Sequence, residues 1–245
     1  MNDKKRTAVV TGGSSGIGLG VVQGYLERGW NVVATSRTID KARMQAAGLP
    51  DSPRLRVVAG DVGEAATARK VVDEALEAFG SLDVLVNNAG VFISKPFTDY
   101  TAEDVERLLA TNVHGFLHLT QLAVARMREQ GGGSVITVTA SIAEQPIAGV
   151  PAAVPILTKA GLNAATKALA LEYATENIRF NAVSPGIIET PMYGPEAHGF
   201  LRGLQPVGRM GRVEDVVDAV MYLTDAPFVT GEILHVDGAM TAGRW

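Results

Sequence analysis

Short apolar runs rich in β-branched residues alternate along the chain with longer segments of helical pattern, and this alternation restricts the fold more than any other feature. The runs occupy residues 8–10, 32–34, 56–58, 84–86, 134–138, 179–183 and 233–236. They do not alternate apolar with polar residues, so they suit parallel strands buried on both faces. Helical patterns cover residues 18–28, 65–79, 102–128, 156–174 and 213–223. Thr101-Ala102-Glu103-Asp104 reads as a helix start, a hydroxyl cap followed by first-turn acids, and Val213-Glu214-Asp215 reads the same way. Strand–helix alternation of this kind predicts an α/β fold, a three-layer doubly wound parallel sheet. A length of 245 residues fits one such domain, and no repeat, low-complexity segment or linker divides it. The one long irregular stretch, 184–211, is rich in Pro and Gly. A loop of that length in a compact domain is expected to be functional or mobile.

Composition narrows the function classes. Apolar residues make up 47% of the chain, enough for a sizeable core. The formal charge of -4 gives no reason to expect nucleic acid as a partner. The basic run Lys4-Lys5-Arg6 reads as a solvated leader before the first strand. With no cysteine, a disulfide framework, a thiol nucleophile and a Cys metal site are excluded. The first residues lack the apolar region of a secretory signal, and no apolar stretch reaches the roughly 18 residues needed to span a bilayer. A cytoplasmic protein without a membrane partner is expected. Among the histidines, His114 and His118 can share a helix face, but they lack a third ligand and are expected to pack helices.

After the first strand comes Gly12-Gly13-Ser14-Ser15-Gly16-Ile17-Gly18. Glycines permit a tight turn and let backbone N–H groups approach a pyrophosphate at a helix N-terminus. Alone, such a turn is a weak signal. Its place after a strand and before an amphipathic helix strengthens it. At the end of the second strand, where an NAD site places an acid against the ribose 2′-hydroxyl, the chain has Ser36 and Arg37. A hydroxyl and a guanidinium would accept a 2′-phosphate, so NADP(H) is expected over NAD(H). Asp61, in Gly60-Asp61-Val62, would accept from an adenine amino group or cap a helix.

These segments, with Asn87-Asn88-Ala89-Gly90, Ser141 ahead of Lys159, Ser184-Pro185-Gly186 and the tail from Thr230 to Gly238, resemble the short-chain dehydrogenase/reductase family in residue type and order. The resemblance spans essentially the whole chain and implies a single Rossmann-type domain. It implies that Gly12, Ser14, Ser15, Gly16, Ile17 and Gly18 form the pyrophosphate and ribose turn. Asp61 and Val62 would frame adenine, and Asn88, Ala89 and Gly90 would turn against the cofactor. Asn112 would hold a relay water, Ser141 would hydrogen-bond the reacting carbonyl, and Lys159 would grip the nicotinamide ribose. Pro185, Gly186, Ile188 and Thr190 would line the nicotinamide.

In that family a Tyr stands four residues before the Lys. One helical turn then puts phenol and ammonium on the same face, where the cation stabilises the phenolate. Here that position is Pro155, and no Tyr lies between Tyr100 and Tyr173. Pro155 is expected as the first residue of the helix carrying Lys159. Three explanations remain open at this point. In the first, a surrogate acid stands nearby, with Glu144, Tyr193 and His198 as candidates. Lys159 and the Asn112 water can act directly, with Ser141 orienting the substrate. Or the protein binds NADP(H) as a sensor, scaffold or partner subunit without turnover.

The substrate region is expected within 187–211, with contributions from 142–151 and 91–96. Phe92, Ile142, Ile147, Val150, Met192 and Phe200 suggest a carbonyl or secondary alcohol on a hydrophobic skeleton. The long helices of 99–128 and 156–174 carry apolar residues on more than one face. With the resemblance, they imply a homodimer or homotetramer, to which Trp245 would contribute.

Overall fold

A computed structural model of the chain describes residues 5–243; Lys4 and the proposed interface residue Trp245 lie outside the described residues. Strands β1 (Thr7–Thr11), β2 (Asn31–Ser36), β3 (Leu55–Ala59), β4 (Val84–Asn87), β5 (Gly133–Val138), β6 (Ile178–Pro185) and β7 (Ile233–Val236) each grow out of one of the apolar runs. They form one seven-stranded sheet in the order β3-β2-β1-β4-β5-β6-β7, and every pairing is parallel. The strand order reverses between β1 and β4. In such sheets that reversal opens a crevice beyond the carboxyl ends of the strands.

The helices are α1 (Gly16–Glu27), α2 (Lys41–Ala46), α3 (Ala65–Phe79), α4 (Ala102–Leu109), α5 (Gly115–Gln130), α6 (Ala153–Glu172), α7 (His198–Arg202) and α8 (Val213–Asp225). Successive strand side chains point to opposite faces. Val10, Ala34, Val86 and Ile136 therefore join Val22 and Tyr25 of α1 and Val216 and Val220 of α8 in one core. Val9, Val33, Leu85 and Val135 face the other way, onto Val71 of α3, Leu119 of α5 and Ala170 of α6. The result is the three-layer doubly wound sheet that the alternation implies.

Local chemistry explains the helix starts. Thr101 caps α4: its hydroxyl accepts from Asp104 N–H at 3.2 Å, and the Asp104 carboxylate accepts from Thr101 N–H at 2.9 Å. At α8, the Asp215 carboxylate accepts from Arg212 N–H at 2.8 Å, so an acid rather than a hydroxyl closes that start.

The structure departs from the sequence pattern in several places. The short helix α2 has no counterpart in the pattern. The helix expected over 102–128 is interrupted by a π-helical stretch, Ala110–His114, with Asn112 inside it. Helix α6 begins at Ala153, which makes Pro155 its third residue rather than its first. Pro155 is tolerated there because the first four N–H groups of a helix have no intrahelical partner to lose. The stretch 184–211 is less irregular than expected. Ser184 and Pro185 end β6, and α7 sits inside the loop. The base of the loop is pinned. Glu189 N–H donates to Gly211 O at 2.8 Å, and the Gln205 amide donates to Ile187 O at 3.0 Å and to Arg209 O at 2.7 Å.

Candidate functional site

A cavity of about 550 Å³ occupies the crevice, lined from the ends of β1 to β6 and from the 187–211 loop. Ser14, Ser15, Gly16 and Ile17 form its wall at the N-terminus of α1. Gly12 and Gly16 sit at φ 67° and 52°, where an L side chain is strained. A Cβ on Gly12 would also stand 2.8 Å from the Asn88 amide nitrogen. Gly18 is not in the wall. A side chain there would collide with Gly12 O and the Asn88 amide, so Gly18 serves the packing of α1 under the turn. Ser15 is the N-cap residue of α1, yet its side chain makes no capping bond. That leaves the first-turn amides and the positive end of the helix for an anion.

Beside this turn, Ser36 Oγ donates to Ser14 Oγ at 2.9 Å, and both line the cavity with Arg37. The Arg37 guanidinium has no carboxylate partner among the described residues. Asp61 stands just past the end of β3, ahead of α3, whose N-cap is Glu64. It lines the cavity with Val62, and its carboxylate accepts from Gly63 N–H at 2.9 Å, closing the turn into α3.

Beyond β4, Asn88, Ala89 and Gly90 run along the cavity wall. The Asn88 amide donates to Thr11 O at 2.9 Å, while Thr11 Oγ1 accepts from the N–H groups of Asn88 and Ala89, each at 2.9 Å. A Cβ on Gly90 would lie 3.1 Å from Lys159 Nζ and 3.4 Å from Asn112 Oδ1, so the three are neighbours. Asn112 is buried, and it is committed to the protein. Its Oδ1 accepts from Val91 N–H at 2.9 Å, and its Nδ2 donates to Val91 O and to Thr158 Oγ1, each at 3.1 Å. It is not in the main wall. It borders a separate recess of about 10 Å³ shared with Lys159, roughly what one water needs.

The substrate end holds Ser141, Pro155, Lys159 and Tyr193. Ser141 opens a short turn after β5, and its Oγ lies 3.8 Å from Met240 Sδ. Lys159 Nζ donates to Val138 O at 2.8 Å, and no carboxylate pairs with it among the described residues. Burial lowers its pKa to about 8, because the charged form loses hydration without gaining an anion. Pro155 precedes it by one turn and is buried in the same wall. Pro185, Gly186, Ile188 and Thr190 complete the side formed by β6. The expected apolar residues Phe92, Ile142, Ile147, Val150, Met192 and Phe200 all line the cavity.

Two candidate acids are elsewhere. Glu144 does not line the cavity; its Oε1 accepts from Asn163 Nδ2 at 3.0 Å and pairs with His235 Nε2 at 3.1 Å. His198 opens α7 and is also absent from the wall. Tyr193 is in the wall, but burial among Ile187, Met210 and Leu204 raises its pKa, so it stays a protonated phenol. Met240 was not legible as a site residue, since it sits outside any motif and reaches the cavity through the course of the backbone.

A family profile described as enoyl-(acyl carrier protein) reductase matches residues 12–241. The chain is 36% identical to a 3alpha-hydroxysteroid dehydrogenase of Mediterraneibacter gnavus, over 96% of this chain and 97% of that protein. It is 34% identical to an NADP-dependent (R)-specific alcohol dehydrogenase of Lentilactobacillus kefiri, over 98% of each. A solved structure described as ElxO with NADP bound matches with a TM-score of 0.91 at 26% identity, over 98% of this chain and 100% of that one. The chain belongs to the short-chain dehydrogenase/reductase family of oxidoreductases.

The role of Asn112 as a strut can be measured. Replacing Asn112 with Ala leaves both polar groups of Val91 without their partner, which is expected to cost about 2 kcal/mol of stability in urea unfolding. An unchanged midpoint would mean that the strut carries no load.

Proposed function

We propose that this protein is an NADP(H)-dependent oxidoreductase of carbonyls and secondary alcohols in which Lys159 takes the proton-transfer role usually held by a tyrosine. The observation that carries this reading is Lys159 itself, a partly buried ammonium in the cavity wall with no carboxylate partner among the described residues, one turn after Pro155. A proton donor works best with a pKa near ambient pH, and about 8 meets that condition. The competing donors fare worse. Glu144 and His198 are outside the cavity, and burial makes the Tyr193 phenol a weaker acid still.

The residues present fit the nucleotide. In the glycine turn Gly12 and Gly16 leave room for a pyrophosphate to approach the backbone, and no carboxylate stands where β2 ends. Ser14, Ser36 and Arg37 would hold the 2′-phosphate, Asp61 and Val62 the adenine. Pro185, Gly186, Ile188 and Thr190 would hold the nicotinamide end. The NADP dependence of the L. kefiri relative and the NADP of the ElxO structure support the same choice. When bound, NADP(H) supplies or accepts the hydride. Ser141 then orients the substrate oxygen by donating a hydrogen bond, and Lys159 gives that oxygen its proton or takes it back. The recess beside Asn112 gives Lys159 a place to exchange protons with water. One observation favours a second reading, in which the protein binds NADP(H) without turnover: the side chain of Pro155 has no proton to give.

NADPH binding by calorimetry, followed by its oxidation across a panel of ketones, tests the reading. Binding without any turnover would support the second reading instead. Two finer outcomes are expected. Arg37→Ala should weaken NADPH at least tenfold while sparing NADH, since a charge-assisted phosphate contact is worth roughly 1.5–3 kcal/mol; equal losses would remove the 2′-phosphate role. The rate of carbonyl reduction should fall as pH rises through about 8, because the acid is the protonated Lys159, and alcohol oxidation should rise through the same range. A reduction rate flat from pH 6 to 10 would exclude Lys159 as the donor.

We also infer self-association across α5 and α6, where Leu117, Leu157 and Leu171 remain 43%, 66% and 84% exposed. Sedimentation velocity should show a dimer or tetramer. A monomer at micromolar concentration would refute it.

A further inference from the structure

The two ends of the cavity differ in character. The charged residues of its wall are Arg37 and Asp61 at the nucleotide end and Lys159 near Pro155; beyond Ser141 the lining is almost wholly apolar. One side chain at that far end comes from a segment that none of the motifs explains. We propose that Met240 is a specificity-determining residue, setting the depth of the substrate end and so the bulk of the uncharged, apolar carbonyl compounds it accepts. This rests on the carbonyl reading above.

Three independent features place Met240 in that role. The side chain is only 4% exposed yet lines the cavity. Its sulfur is the one partner of the Ser141 hydroxyl among the described residues, at 3.8 Å. A thioether is a weak acceptor, so a carbonyl oxygen arriving at Ser141 displaces it easily, and the rest of that substrate must then lie against Met240. Packing supplies the second feature. Met240 joins Ile187 and Met210 in a small cluster with Tyr193 and Leu204, so it links the 187–211 loop to the Ser141 turn.

The third feature is the backbone. The Asp237 carboxylate accepts from Ala239 N–H at 3.0 Å, from Thr241 N–H at 2.9 Å and from Thr241 Oγ1 at 2.6 Å. Within this turn Ala239 lies at φ 72°, in the left-handed region that a side chain occupies only when its surroundings impose it. The turn aims residue 240 inward and fixes where its side chain begins. A bulkier substrate therefore meets a wall whose backbone cannot retract. The identity of residue 240 then sets the depth along that wall.

The experiment uses the full chain, with NADPH affinity measured first on each variant as the check of folding. Reduction of cyclohexanone and of the bicyclic 2-decalone is followed by NADPH oxidation, and binding of each ketone to the protein–NADP⁺ complex is followed by calorimetry. Met240→Ala should raise the preference for 2-decalone about tenfold, the scale expected when a few carbons of an apolar pocket are removed. Met240→Phe should shift the preference toward cyclohexanone. Because the two variants move in opposite directions, either one alone reads the effect if the other fails to fold. Ketone turnover with the same size preference in the variants as in the parent overturns the assignment of Met240 while leaving the carbonyl reading intact. A parent protein that binds NADPH but neither binds nor reduces either ketone overturns both.

Discussion

The hydrogen bonds between Thr11 and the Asn88 turn hold the two halves of this molecule in register where its chemistry is placed. Thr11 ends β1, and Asn88 follows β4, its neighbour across the reversal of strand order. Parallel strands leave their carboxyl ends without ladder partners, and here side chains and turn amides supply them. Thr11 Oγ1 takes the two turn amides, and the Asn88 side chain returns a bond to Thr11 O. The contact is so close that neither Gly12 nor Gly18 can carry a side chain. The depth of the crevice, and the exposure of the α1 N-terminus within it, follow from this staple.

A second strut carries the same order to the substrate end. The π-helical stretch between α4 and α5 turns Asn112 inward, and its amide binds both polar groups of Val91 and reaches Thr158 on α6. Thr158 lies between Pro155 and Lys159, so the helix bearing the candidate acid is tied to the β4 turn through one side chain. The π-bulge adds a residue to the helix at the point where its side chain must leave the regular face, a use often seen at functional sites.

The electrostatics of the two ends are opposed. At the end proposed for the nucleotide stand a helix N-terminus, two hydroxyls and a guanidinium with no carboxylate partner among the described residues. At the other end Lys159 is desolvated, and among the described residues it has no counter-charge and Val138 O alone accepts from its ammonium. Desolvation without a counter-charge lowers its pKa, whereas the same burial raises that of a phenol. A buried lysine and a buried tyrosine are therefore driven toward neutral pH and away from it, respectively, by one physical term. That contrast supports the proposal that Lys159 rather than Tyr193 transfers the proton.

Much of the fold was legible in the sequence because its signals are local. A β-branched run becomes a strand wherever helices cover both its faces, and a glycine turn between strand and helix keeps its shape across many contexts. Thr101 and Asp104 close a helix start with their own side chains, so that boundary was readable too. Backbone position was legible, which is why Ser36, Arg37, Asp61, Ser141 and Lys159 all line one cavity. Side-chain direction was not. Glu144 lies three residues past Ser141 but turns to Asn163 and His235, because α6 and β7 offer it partners that the cavity does not. Helix α6 starts two residues before Pro155, because the missing N–H costs nothing in a first turn. Met240 enters the cavity only because a turn built on Asp237 points it there. By itself the sequence determined the order of elements, the glycine turn and the identity of the groups that can bear charge or protons, since these depend on neighbours along the chain. The tertiary structure alone decided which of those groups face one another, since that depends on packing between segments far apart in the chain.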